Sequence, residues 1–589
     1  MDINKKNIPF TPIVCLILIW IFSAIGLLTI MWPLLSVESP SRIVYLSMFL
    51  LFLGELTIVV IAVHVYFKRN IDAKLKLILT PILWAVFAIV SCSFTVYSKK
   101  GITLGWVSLL LVMVILHVRK TNCGIEIYNR TLLITITFEC ILQFYIYKYY
   151  QDDFLNRTDR LFWVLFNFFC LWAICICVWN VTSYIYSLEK IFLGLAITLG
   201  ICYLIIFPPM SAPDEECHFA MAYSYSNVLL GGDRYIQPVG TRENGNGCMF
   251  YEIPARSVDA ECISGTYDFE YVWQYPGYGM YQNIKEQIGV TSPSGFQFES
   301  SFIGRFTSGS FFAYLPGIIG ITIARLIGLG GMQMIFLGRI FNYVFFVGLI
   351  FWAIKVAPVA KKIFFVCAFL PMTIELGASY SYDAVLISSA FLFVAYTLHL
   401  IYDKSRIKWY NIAILFFCLI FLSSAKVIYS LVVFLIFLIP KEKFKHKIKK
   451  YVVLGAGLII CIIMALVGSL GSITGYVTSS GDASYFTISY ALSHIGETIY
   501  LVINSLVVQS EYYLGTTVGY LLGWLEFRIS FVVIIGICLM CYLATLRIKS
   551  DSSFHISRSL SYVSLAIFIV ILGLTLCTTV LWTPIGNQI

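Results

Sequence analysis

Long apolar runs separated by short polar, mostly basic breaks make up this chain. Runs of about 17–25 apolar residues recur, and each can cross ~30 Å of hydrocarbon as a helix. In the first half they fall at 11–35, 43–67, 77–97, 102–118, 131–148, 161–186 and 191–207. In the second half they fall at 332–354, 363–379, 383–402, 409–425, 427–440, 451–470, 527–546 and 559–581. Segment 427–440 is short for a crossing. The pattern predicts an all-α polytopic integral membrane protein, a helical bundle with about 15 spans, a large outer loop and interfacial helices. No repeat relates the two halves.

Composition agrees: 59% of the residues are hydrophobic and 12% charged, with mean hydropathy +0.87. A net charge of +9 is then a topology signal rather than a sign of nucleic-acid binding, because Lys and Arg collect in short loops on the cytoplasmic side. Lys5 and Lys6 place the N-terminus inside, and no small-residue cleavage site follows the first span. Seven crossings put Pro208 outside; Lys99 and Lys100 run against the rule. The loop 208–310 is the longest polar stretch. Lys355 with Lys361 and Lys362, Lys404 with Arg406 and Lys408, Lys441 to Lys450, and Arg547 with Lys549 all fall inside only if 311–327 does not cross. That segment, with Pro316, Gly317, Gly320 and Arg325, reads as a helix in the outer interface. A second outer segment, 471–526, carries His494, Glu497, Glu511 and Glu526. The chain divides into an N-terminal multi-span extension (1–190), a membrane module (191–470) that includes the outer loop, and an outer amphipathic segment with C-terminal spans (471–589).

Chemistry concentrates where the seventh span meets water, at Pro208-Pro209-Met210-Ser211-Ala212-Pro213-Asp214-Glu215-Glu216-Cys217-His218-Phe219. Two readings of its acids stand side by side. One is the capped start of a helix; the other is a general base with an acidic neighbour that raises its pKa or joins it at a metal. Asp214 and His218 are one helical turn apart, but two ligands are too few to specify a metal. Arg339 and Lys426 are solitary cations in apolar sequence. They either snorkel to the interface or meet an anionic headgroup. Asp383 either caps a helix or joins the site. Glu55, His64, Glu139 and Glu375 read as helix-packing groups. Aromatic residues in the outer loop, among them Tyr235, Trp273, Tyr275 and Tyr278, suit either sugar rings or an interfacial belt. Most cysteines lie in apolar spans; Cys248 and Cys262 are candidates for a loop disulfide. No phosphate-binding glycine loop, zinc finger or serine-triad pattern occurs, so cytoplasmic ATP is not indicated. The sequon at Asn156-Arg157-Thr158 has meaning only on a eukaryotic secretory route.

The pattern Pro208-Pro209-(x3)-Pro213-Asp214-Glu215-(x2)-His218-Phe219-Ala220 resembles the bacterial membrane-protein family catalogued as domain of unknown function 2142. So do Tyr314-x-Pro316, Gly338-Arg339-x2-Asn342, Pro371-Met372, Ser379-x-Ser381-x-Asp383-Ala384 and Ala425-Lys426-x2-Tyr429, in that order. The likeness extends over about residues 190–589. That family is similar to the GT-C glycosyltransferases, multi-span enzymes with an acidic motif in the first large outer loop. The resemblance implies a GT-C-like multi-pass bundle in a bacterial cell membrane, with its active site on the extracytoplasmic face. It implies an undecaprenyl-phosphate-sugar donor, a glycan or lipid-linked acceptor, and no nucleotide or nucleic acid. Asp214 and Glu215 would be catalytic, Arg339 and Lys426 would hold the donor phosphate, and Asp383, His218 and Tyr314 would orient the acceptor. It implies no particular cofactor, and a divalent metal stays open. The family pattern continues past a Trp-Thr-Pro-like segment, whereas this sequence ends at Ile589 soon after Trp582-Thr583-Pro584. That leaves truncation and a dispensable last element both open. The rival readings are a lipid-glycan flippase or transporter, against which the lack of a repeat counts, and a non-catalytic envelope assembly protein.

Overall fold

The computed structural model describes residues 188–241, 249–266, 284, 287–288, 290, 298–307, 309–472, 493–508, 510–519, 521–523, 527–529, 531–545 and 557–581. Expectations for 1–187, and those for Cys248, Trp273, Tyr275 and Tyr278, fall outside them.

The first helix among the described residues, α1 (Leu188–Ile206), ends where Pro208 and Pro209 cannot continue it. After a tight turn comes α2 (Glu215–Leu229), which is followed by strands β1 (Gln237–Thr241) and β2 (Met249–Ala255), helix α3 (Ser257–Thr266) and strand β3 (Ser300–Arg305). These strands form an antiparallel sheet in the order β1-β2-β3, with Tyr251 opposite Gly304 and Phe250 opposite Arg305. The sheet corrects the all-α expectation. Its alternation was hidden in a loop read only for its aromatics; Phe302 and Gly304 are buried while Ile303 is exposed.

Next come α4 (Phe311–Leu326), α5 (Gly331–Val356), α6 (Lys361–Cys367), α7 (Pro371–Gly377), α8 (Asp383–Tyr402) and α9 (Trp409–Ala425). A 3₁₀ segment (Val427–Leu438) leads to α10 (Lys449–Ser472), α11 (Ile495–Val508), α12 (Ser510–Val518), the short strands β4 (Leu521–Leu522) and β5 (Phe527–Arg528), α13 (Phe531–Thr545) and α14 (Arg558–Leu581). Among the described residues, four helices are long and apolar enough to cross a membrane: α5, α8, and the parts Lys449–Val467 of α10 and Arg558–Leu576 of α14.

Three expected spans take another form. Segment 363–379 is two seven-residue helices, α6 and α7. The break falls at Leu370, held extended by Pro371, which opens α7 at its first position. Segment 427–440 is the short 3₁₀ segment, and 527–546 begins as β5 before α13. Yet the chain still alternates between two ends. One end carries Lys361, whose Nζ donates to Lys355 O (3.3 Å) and pairs with Glu189 (3.8 Å). Lys443 belongs there too, donating to Ile401 O (2.9 Å). The opposite end gathers Asp214, Tyr380, Asp383 and Lys426. Both α6–α7 and the 3₁₀ segment run between the ends.

Helix α4 lies against α2 and against the first turns of α5. The approach is close because Gly320 meets Gly338: a Cβ on Gly320 would fall 2.7 Å from Gly338 Cα. Gly338 also makes room for Tyr380, whose hydroxyl donates to Ile335 O at 2.8 Å. The apolar core at the outer-loop end joins α2, the sheet, α4 and α5 through Phe219, Tyr223, Ile253, Phe302, Ile318 and Ile335. A second core lies at the basic end and joins α5, α8, α9 and α10.

Candidate functional site

Asp214 stands at the N-cap position of α2, but its side chain makes no capping hydrogen bond. Its backbone is left-handed (φ 54°), as is that of Met210 (φ 68°). For a non-glycine residue this conformation costs on the order of 1 kcal/mol or more, and Asp tolerates it better than most. The result is an outward-turned carboxylate with 54% of the side chain exposed. It accepts a hydrogen bond from Arg305 at 2.7 Å. Of the two readings of Asp214, the simple helix cap is not the one realised.

Glu215 points the opposite way and is fully buried. Its Oε1 accepts from Tyr380 N–H (3.0 Å) and lies 3.3 Å from Arg339 Nε; its Oε2 accepts from Ala212 N–H (3.2 Å). Arg339 is equally buried, donating from Nε to Ala378 O (2.8 Å) and from Nη1 to Phe207 O (2.9 Å). Asn342, one turn further along α5, donates to Ser379 O (2.6 Å) and Ser381 O (3.2 Å). These groups lock the end of α1, the start of α2 and the α7–α8 turn together. This corrects the placement of Arg339 at a donor phosphate and of Glu215 as an alternate base: neither reaches the surface.

Above that lock lies an aromatic patch. His218 is one turn from Asp214 along α2, with its backbone N–H donating to Asp214 O (3.1 Å). Its Nδ1 lies 3.0 Å from the Tyr314 hydroxyl, and its ring packs edge-on against Tyr382 at 4.6 Å. Burial, then the cations Lys426 and Arg305, push the His218 pKa down to about 3, so the ring is neutral at ordinary pH. On the far side of Tyr382, Lys426 lies 5.1 Å from the ring centre and donates to Asp383 Oδ1 at 3.4 Å. Lys426 keeps 42% of its side chain exposed and Asp383 21%. Asp383 opens α8, where its N–H donates to Ser381 Oγ (3.1 Å). Five expected residues, Asp214, His218, Tyr314, Asp383 and Lys426, therefore gather at one end of the bundle: Asp214, Asp383 and Lys426 stay partly exposed, His218 and Tyr314 are buried between them, and Glu215 and Arg339 brace the group from below.

The residue that sequence reasoning missed is Arg305. It is one cation in a polar loop, and only the folded sheet carries it to α2. Gly304 lets β3 press against α2, since a Cβ there would lie 3.0 Å from that of Ala220. Arg305 then reaches Asp214, Glu216 (3.1 Å) and the Cys217 sulfur. Burial raises the Glu216 pKa, with Arg305 opposing. Burial, reinforced by Glu216, also pushes the Cys217 thiol well up, so it stays protonated. Asp214, Glu216 and Cys217 place ligand atoms within 4.8 Å of one another, the spacing of a cation site. Arg305 already puts its positive charge there.

A second buried network fixes the other end of α2. Arg256 holds Asp259 with two hydrogen bonds of 2.7 Å, and Tyr223 donates its hydroxyl to the same carboxylate at 2.7 Å. Arg325 of α4 donates to Asn227 Oδ1 (2.8 Å) and lies over the Tyr223 ring at 4.5 Å.

A family model described as "predicted membrane protein (DUF2142)" matches residues 287–589, just over half of the chain. The chain belongs to the DUF2142 family. The matched part of this DUF2142 protein contains Arg305, Tyr314, Arg339, Asp383 and Lys426. The motif from Pro208 to Ala220 precedes it, so the resemblance read from residue 190 is shown from 287 onward. Asp214, Glu215 and His218 join the DUF2142 part through Arg305, Arg339 and Tyr314. Neither the curated proteins nor the solved structures gave a match.

Proposed function

We propose that this membrane protein is a glycosyltransferase of GT-C type. It moves a sugar from a polyprenyl phosphate to a hydroxyl of a cell-surface glycan on the extracytoplasmic face. One observation carries this reading: an exposed carboxylate, Asp214, and a half-exposed ammonium, Lys426, flank the His218–Tyr314–Tyr382 patch at the end of the bundle where the basic loops are not. The reaction needs a base at the acceptor and a cation at the leaving group, and this patch offers both.

In the proposed step, Asp214 takes the acceptor O–H proton as the oxygen attacks the anomeric carbon. The bond from that carbon to the carrier's phosphate oxygen breaks, and its electron pair leaves with the polyprenyl phosphate. Lys426, aimed by Asp383 and Tyr382, stabilises that growing negative charge. Neutral His218, buried and joined to Tyr314, holds the Tyr382 ring between the two charges. Purified protein in liposomes, given a lipid-linked sugar and a glycan acceptor, tests the reading. Transfer by the wild type, lost in Asp214→Asn, supports it. Movement of the lipid-linked sugar across the bilayer without transfer would establish the transporter reading instead.

A further inference from the structure

We propose that Arg305 is a phosphate-binding residue that exchanges partners: in the empty site it neutralises Asp214, and when a polyprenyl phosphate arrives it turns to the phosphate and releases Asp214. This rests on the glycosyltransferase reading above and adds to it a second phosphate cation and the means by which the base is uncovered.

Four observations converge. Arg305 is 29% exposed and Asp214 54% exposed, so their contact sits at the surface, where water and ligand oxygens compete with it and an ion pair holds weakly, while Glu216 and the Cys217 sulfur keep the other side of Arg305 in place. The carboxylate cannot accept an acceptor's proton well while a guanidinium donates to it at 2.7 Å. The Asp214 backbone is held left-handed, which keeps the carboxylate in place when its partner leaves. Finally, Arg305 holds Asp214, one turn from His218 on α2, and Lys426 lies over the Tyr382 ring that packs against His218, so the two cations flank one small patch. Arg339, the other candidate for the phosphate, is buried against Glu215 and two backbone carbonyls. A planar guanidinium suits two oxygens of a phosphate as it suits a carboxylate.

Exchange carries an uncommon consequence: carboxylates that compete for Arg305 must weaken phosphate binding. The experiment measures binding of undecaprenyl phosphate, without sugar or acceptor, to the full-length protein in nanodiscs. Wild type, Asp214→Asn, Glu216→Gln, Arg305→Met and the double variant Asp214→Asn/Arg305→Met are compared. Asp214→Asn should bind about threefold to tenfold more tightly, the range set by a surface ion pair, even though it cannot support transfer. Glu216→Gln should shift binding the same way. Arg305→Met should bind more weakly, and adding Asp214→Asn to it should bring no further gain. Undecaprenol, which lacks the phosphate, should show none of this, and anionic phosphodiester lipid in the disc should not compete. Competition by that lipid would make the site a general headgroup site and overturn the assignment. Equal or weaker binding by Asp214→Asn, or the same gain in the Arg305→Met background, would overturn exchange. Should Arg305→Met fail to fold, Arg305→Lys takes its place; it keeps the charge but loses the fork, and must lower the gain from Asp214→Asn. Because no turnover is measured, the cycle can hold while transfer is absent, which would defeat the glycosyltransferase reading and keep the phosphate site. It can also fail while transfer is intact.

Discussion

Glu215 and Arg339, 124 positions apart in sequence, form a buried ion pair with Oε1 3.3 Å from Nε and both side chains nearly inaccessible. Each is also satisfied by backbone: Glu215 by the N–H groups of Tyr380 and Ala212, Arg339 by the carbonyls of Ala378 and Phe207. Charges taken from water are tolerated only with such partners, and removing one leaves the other stranded. Arg339→Met should therefore lower stability by about 3–5 kcal/mol, seen as a fall in Tm in detergent. Glu215→Gln should cost less, because the amide still accepts from Tyr380 N–H. A phosphate-binding Arg339 would behave differently, leaving Tm unchanged and raising only the donor KM.

Asp214→Asn should leave the fold intact and lower transfer by about 10²–10⁴-fold, the usual loss when a general base is removed. Asn also tolerates the left-handed backbone, so Tm is expected to stay near the wild-type value. Full turnover in this variant would end the assignment of Asp214 as the base.

Lys426→Met should raise the donor KM by about 10–100-fold, matching about 1.5–3 kcal/mol for a hydrogen bond from a charged donor. Asp383→Asn should act in the same direction but more weakly, since it only aims the ammonium. If the acceptor KM moves and the donor KM does not, Lys426 is not at the phosphate.

The depressed pKa of His218 ties stability to pH. Above the ordinary value of 6.5 the ring is neutral in both states and contributes nothing. Below 6.5 the unfolded chain binds a proton that the folded protein refuses until about pH 3. Stability should thus fall as pH drops through that window, by about 1.4 kcal/mol per unit for this one group. His218→Gln should flatten the decline between pH 6 and 4 relative to wild type. Parallel pH profiles for the two proteins would contradict the buried neutral ring.

Gly338→Val should be among the most damaging single changes in α5. A Cβ there would collide with the Tyr380 ring, and overpacking of this kind typically costs about 1–3 kcal/mol. Tyr380 also donates its N–H to Glu215, so the substitution should disturb the ion pair too. Gly348, with nothing close to its missing Cβ, is the control: Gly348→Val should be nearly silent in Tm.

Much of this protein is legible along the chain, because a bilayer constrains length and composition. Helices α5, α8, α9, α10 and α14 fall within two residues of their apolar runs, and α4 matches the segment 311–327 to within one. The acidic motif and the two solitary cations are visible as charges that apolar surroundings cannot leave unpaired. Which of them pair with each other is another matter. Helical spacing puts Asp214 and Glu215 on one face with His218, yet the left-handed turn at Asp214 sends one carboxylate outward and the next into the core. Only the packing of α5 under that turn makes Arg339 a buried brace, leaving Lys426 at the surface. Arg305 carries no local signal at all. It reaches Asp214 because β3 pairs with β2, from which it is well separated along the chain, and presses against α2, and such pairing is chosen by the whole chain's burial of apolar surface and not by any neighbouring residues.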